Sequence, residues 1–70
     1  MTNEAFADAI IAMQGTLYRV AYGLLPREAD REDAVQETIR RAWHRRETLR
    51  DARFLQTWVI RILKIGRAHV

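Results

Sequence analysis

The sequence predicts an all-α fold, a small helical bundle of three main helices, on three observations. Apolar residues recur at steps of three and four along most of the chain, the spacing that lines one face of a helix. No stretch alternates apolar and polar residues in the manner of a half-buried strand. Pro26, Asp30 and Asp51 fall between the periodic stretches, where helices stop and start.

The first helix is expected over residues 4–25, where Phe6, Ile10, Met13, Leu17, Val20 and Leu24 form one apolar stripe. Gly15 lies within it and weakens it by roughly 1 kcal/mol relative to alanine, which allows a kink or break there. Tyr18 and Tyr22 are i,i+4 neighbours and are expected to be half-buried. Pro26 ends the helix because it biases Leu25 out of the helical region.

The second helix is expected to be capped by Asp30, with Asp33 three residues on and acids filling the first turn. Val35, Ile39, Ala42 and Trp43 form its expected buried face, and Asp33, Glu37, Arg40 and His44 the opposite one. It is expected to run to about residue 46. Residues 46–53 then read as a polar, basic connection with Leu49 tucked inward. Asp51 can cap a third helix starting near Ala52. There Phe54, Leu55, Trp58, Val59 and Ile62 cover an apolar arc that leaves Gln56, Thr57, Arg61 and Lys64 outward. The chain contains no internal repeat or low-complexity tract.

Seventy residues allow one small domain. Domains near this size bury only about 60% of their unfolded surface, so each packed residue counts. The absence of cysteine removes disulfide and thiolate metal chemistry, and two histidines 25 residues apart make no zinc spacing. Neither a cofactor nor a metal is expected. No apolar run approaches the roughly 18 residues of a membrane span, and the N-terminus lacks the basic-then-apolar order of a signal peptide. The composition fits a cytoplasmic protein. A net charge of +3 hides an asymmetry, because residues 1–37 carry seven acids against three arginines and residues 38–70 carry nine bases against two acids. A basic excess confined to part of a small domain is the electrostatic footprint of nucleic-acid binding, although a solvated helix surface reads the same way.

Asp33, Gln36 and Glu37 put two carboxylates and an amide on one exposed side of a helix. Carboxylates accept paired guanidinium hydrogen bonds, so this side suits arginines of another protein. Helix-start electrostatics and a Glu37–Arg41 pair account for the same residues, and spacing alone favours that plainer reading. Arg40, Arg41, Arg45, Arg46, Arg50 and Arg53 form a dense series suited to a phosphate backbone, or simply to solvation. Trp43, Phe54 and Trp58 fit either base stacking or the core, and their spacing with Val35, Ile39 and Ile62 makes core packing the expected role. His44 reads as an exposed, solvated residue. No nucleophile with its base, carboxylate dyad or phosphate-cradling glycine loop is present, so no catalytic residue and no enzyme activity are expected.

The spaced motifs Leu17-Tyr18…Ala21…Leu24-Leu25, Asp30…Asp33-Ala34-Val35-Gln36-Glu37-Thr38…Ala42-Trp43 and Leu49-Arg50-Asp51…Phe54…Trp58-Val59…Arg61-Ile62 resemble the second conserved region of bacterial sigma factors. The resemblance covers roughly residues 5–63 and points to the small extracytoplasmic-function group. It implies a promoter-specificity subunit of RNA polymerase. In that family the helix matching Asp33–Trp43 docks on the clamp helices of the polymerase's largest subunit, with Asp33, Gln36 and Glu37 at its polar contact positions. The segment matching Arg46–Phe54 and the helix after it recognise and open the promoter's −10 element, flipping a non-template-strand base into a protein pocket. The resemblance therefore makes Arg46, Arg50, Arg53, Gln56, Thr57 and Arg61 candidates for the DNA side. Anti-sigma proteins commonly sequester this group, so the resemblance suggests one as a further partner.

After Arg61-Ile62-Leu63 the family usually continues with an asparagine, a further basic helical stretch, a linker and a second domain for the −35 element. Here the chain reads Lys64-Ile65-Gly66-Arg67-Ala68-His69-Val70. Reverse-translated as AAG ATC GGA AGA GCA CAC GTC and followed by TGA, that tail is similar to a common sequencing adapter running into its stop codon. The expected domain is residues 1–64, with 65–70 a non-native tail; other codons in the coding sequence would remove that idea. On this reading the last helix is a truncated −10 recognition helix, and the chain binds polymerase weakly without directing initiation by itself. A helical adaptor that binds only protein is the main rival, and it would show no salt-sensitive binding to single-stranded DNA. A helix-turn-helix repressor would need a recognition helix after a tight turn, which residues 46–53 do not suggest.

Overall fold

A computed structural model describes residues 1–68, in which four α-helices and two short 3-10 turns form an all-α bundle with no strand among the described residues. The helices are α1 (Asn3–Ala12), α2 (Gln14–Leu24), α3 (Glu28–His44) and α4 (Leu55–Ala68). The 3-10 turns, Arg46–Thr48 and Ala52–Phe54, lie between α3 and α4. His69 and Val70 of the expected tail lie outside the described residues, and α4 runs without a break across the expected boundary at Lys64. Among the described residues no helix is long and apolar enough to cross a membrane.

The expected first helix is two helices. Thr2 opens α1 by accepting a hydrogen bond from the Ala5 N–H on its hydroxyl at 3.0 Å. The ladder breaks at Met13 (φ −98°, ψ 6°), two residues before the helix-weakening Gly15. Phe6, Ile10, Met13, Leu17 and Ala21 remain in line across this break and are all buried. The far end of the expected stripe departs from it, since Val20 is half-buried and Leu24 is exposed while Ala21 takes the core position.

Leu25 is extended before Pro26, as the proline ring requires. The expected cap at Asp30 is corrected: α3 already begins at Glu28, with extended Arg27 as its N-cap and no side-chain cap bond. Pro26 constrains only its immediate neighbours, so nothing delays the helix further. Glu28 and Asp30 then fall in the first turn, where the helix dipole favours carboxylates. Arg31 reaches back and closes the turn, donating from Nε to the Leu25 carbonyl at 2.9 Å and from Nη2 to the Pro26 carbonyl at 2.6 Å. The same guanidinium lies 4.4 Å over the Tyr22 ring, which is 70% exposed rather than half-buried.

The buried face of α3 is Ala34, Val35, Thr38 and Ala42, not the expected Val35, Ile39, Ala42 and Trp43. Alanine and threonine at i, i+4 and i+8 allow α2 and α4, its main neighbours, to approach closely. Ile39 is left half-buried, and Trp43 moves to the edge with 37% exposure. In α4, Leu55, Val59, Ile62 and Leu63 complete the core; Leu63 was missing from the expected arc. Leu17, Val35, Val59 and Leu63 are the largest fully buried side chains, each worth roughly 1.5–3 kcal/mol of transfer free energy. The expected core roles of Trp43 and Phe54 are corrected by the same packing, since Phe54 is 59% exposed; Trp58 is half-buried.

Candidate docking face and nucleic-acid cleft

On α3, Asp33 and Gln36 are exposed and Glu37 is half-buried, so i,i+3,i+4 spacing presents all three on one accessible side. Glu37 accepts from Arg40 Nη1 through one carboxylate oxygen and from Arg41 Nε at 3.1 Å through the other. Surface pairs of this kind are worth about 0–1 kcal/mol, so an incoming guanidinium can displace them at little cost. Farther along α3, Ile39 and Trp43 join Phe6, Ile10 and Ile11 of α1 around a shallow apolar recess of about 180 Å³. The side of α3 that carries Gln36 thus passes from acid and amide to apolar within two turns.

The connection between α3 and α4 builds a second feature. Thr48, Leu49, Arg50, Asp51, Phe54, Thr57, Trp58 and Arg61 line a cleft of about 400 Å³. Asp51 shapes its corner: its carboxylate accepts the Arg53 N–H at 2.9 Å and caps the turn Ala52–Phe54, which leads directly into α4. The Arg53 guanidinium adds a bond to Oδ2 at 2.7 Å. That side-chain bond first, and the backbone bond second, hold the Asp51 carboxyl below the usual carboxylate range; the same pairing raises Arg53.

Of the six sequence-derived candidates for nucleic acid, Arg50, Thr57 and Arg61 meet in this cleft. Arg53 and Gln56 instead border a neighbouring open groove of about 380 Å³ with Ala9, Ala12, Met13 and Thr16. Arg46 faces a third depression and is committed within the fold. Its guanidinium stacks 4.0 Å over Trp43, donates to the Trp43 carbonyl at 2.7 Å and reaches Asn3 Oδ1 at 2.9 Å. Arg50 and Arg61 make no ion pair among the described residues.

Sequence reasoning overlooked Asp51, Leu49 and Thr48 as cleft residues, having read Asp51 only as a cap. It gave Phe54 to the core, although a residue between a capping aspartate and the first full helical turn falls outside the helical register. Trp58 carried a usable signal as an aromatic between outward Thr57 and Arg61. Phe6 connects the two features, with its ring 6.0 Å from that of Trp43 and 6.3 Å from that of Trp58. Apolar walls, unpaired guanidiniums and hydroxyls together suit a flat aromatic ligand attached to phosphate.

A family model described as Sigma-70 region 2 matches residues 9–65, a span that contains Asp33, Gln36, Glu37 and every residue of the cleft. No curated protein and no solved structure matches the chain.

Proposed function

The chain belongs to the Sigma-70 region 2 family, and on that premise we propose that it is the promoter-recognition domain of an extracytoplasmic-function sigma factor. Family membership carries interaction with RNA polymerase core and with promoter DNA. In this proposal α3 docks on the clamp helices of the polymerase's largest subunit through Asp33, Gln36 and Glu37. The cleft holds a base of the −10 non-template strand against Phe54 and Trp58, with Arg50 and Arg61 on flanking phosphates and Thr57 on a polar edge. Arg53 and Gln56 extend the basic path along the neighbouring groove. Unstacking a base costs a few kcal/mol, which pocket and phosphate contacts must offset. We assign residues 1–64 to this domain and residues 65–70 to a foreign tail, which the coding nucleotides decide.

The observation that carries the reading is the cleft itself, where Phe54 and Trp58 meet Arg50 and Arg61, two arginines with no ion pair among the described residues. Capture on an immobilised clamp fragment tests the protein contact: Gln36→Ala should weaken retention and Glu37→Arg should abolish it. Equal retention of both variants and the parent chain would refute the docking assignment. Salt-sensitive binding of single-stranded −10-like DNA tests the cleft, and its absence would favour the protein-only adaptor.

A further inference from the structure

Residues 49–51, between the two 3-10 turns, belong to no helix, yet they carry Arg50 on the cleft. The bonds within the preceding turn are few. Thr48 donates its N–H to the Arg45 carbonyl at 2.9 Å and its hydroxyl to the same oxygen at 2.7 Å, and the Leu49 N–H reaches the Arg46 carbonyl at 3.3 Å. An isolated turn fixes several backbone angles for few bonds, so it does not keep its shape alone.

Its support comes from the start of α1. Thr2 caps that helix, which fixes Asn3 in its first turn. Asn3 Oδ1 accepts from Arg46 Nε at 2.9 Å, and the same guanidinium lies 4.0 Å over the Trp43 ring and donates to the Trp43 carbonyl at 2.7 Å. Arg46 thereby ties together α1, the end of α3 and the turn. Phe6 shares the side of Asn3 at i,i+3 and sets its ring edge-on to Trp58 of the cleft, at 6.3 Å. Arg50 borders both the cleft and the depression of about 290 Å³ that Met1, Asn3 and Arg46 line, so it stands against this end of α1. Asn3 and Phe6 precede the span 9–65 matched by the family model.

Resting on the single-stranded DNA reading above, we infer that the first turn of α1 is part of the cleft's construction, with Asn3 and Arg46 as positioning residues that act through Arg50. Neither touches the strand. Arg46 is oriented by α1 and α3, and it sets the place of the turn rather than meeting a phosphate.

Amide hydrogen exchange and strand binding, both on the whole chain, test this. Asn3→Ala removes the acceptor without weakening α1, since alanine is the better helix former. It should speed exchange at Thr48 and Leu49 by about two- to tenfold, the loss expected of one hydrogen bond, and leave the core amide of Val59 unchanged. Asn3→Asp keeps an acceptor oxygen and should keep the protection. Binding of a labelled single strand should weaken by about threefold in Asn3→Ala and in Arg46→Gln, at unchanged salt slope, and no further in the double variant. Unchanged exchange at Thr48 and Leu49, or an equal gain at Val59, overturns the inference whatever the strand does. So do parental affinity in both variants and fully additive losses in the double variant. A slope reduced by about 0.7 in Arg46→Gln would make Arg46 a phosphate contact instead and overturn it too. If the parent chain binds no strand, the DNA reading falls and this inference falls with it.

Discussion

Phe54 is the residue where hydrophobicity and position part company. Two apolar series overlap in the sequence, Phe54–Trp58–Ile62 and Leu55–Val59–Ile62–Leu63, and spacing alone does not choose between them. The choice is made by the turn that Asp51 caps, which starts α4 at Leu55 and leaves Phe54 ahead of the helical register. Phe54→Ala should therefore cost under about 1 kcal/mol in urea denaturation, whereas Leu63→Ala should cost about 2–5 kcal/mol. Similar losses would place Phe54 in the core after all. Asp51 itself should titrate below the ordinary carboxylate value because the Arg53 guanidinium, then the Arg53 N–H, favours its ionised form. A depressed folded-state value means its contribution to the cap is complete above the unfolded value, and fades as pH falls through the folded one. Arg53→Ala should return the carboxyl most of the way to the ordinary range in an NMR titration. An unmoved titration would show that the side-chain pairing is not its main cause.

At the scale of elements, the helices were legible because their apolar periodicity is long and redundant, while their ends were not. Asp30 and Arg27 offer α3 alternative starts whose capping energies differ by about 1 kcal/mol, and the Arg31 clasp on the preceding turn is invisible to local pattern. The buried face of α3 escaped the sequence for a related reason. Hydrophobicity ranks Trp43 and Ile39 above Ala34 and Thr38, but a helix wedged against two neighbours buries the residues small enough to fit. The shared accessible side of Asp33, Gln36 and Glu37 and the outward Thr57 and Arg61 were readable since they follow directly from helical phase. α2 also retains an avoidable weakness. Gly23 has a negative φ, and an added Cβ would meet nothing within 4 Å. Gly23→Ala should raise stability by about 0.5–1 kcal/mol, seen as a higher urea midpoint at unchanged m-value. A lower midpoint would mean that this turn of α2 is not helical in solution.

For the whole molecule, the decisive property is how charge is distributed over the bundle. The acidic half of the sequence supplies the candidate docking side of α3, and the basic half supplies the cleft and the Arg53 and Gln56 wall of the neighbouring groove. Binding of a phosphate strand releases counterions, so affinity should fall with salt at a log–log slope of about −0.7 per neutralised phosphate. Two contacts, from Arg50 and Arg61, give an expected slope of about −1.4, since the Arg53 guanidinium is paired with Asp51. Replacing Arg61 with glutamine should reduce its magnitude by about 0.7. Arg46→Gln should leave the slope unchanged, because the Arg46 guanidinium is occupied by Asn3 and Trp43 inside the fold. Fluorescence anisotropy of a labelled strand across a salt series measures all three quantities. A protein-only adaptor would give no strand binding to titrate, whereas a diffuse basic surface would lose the same small fraction of slope with either arginine. Only a localised cleft separates Arg61 from Arg46.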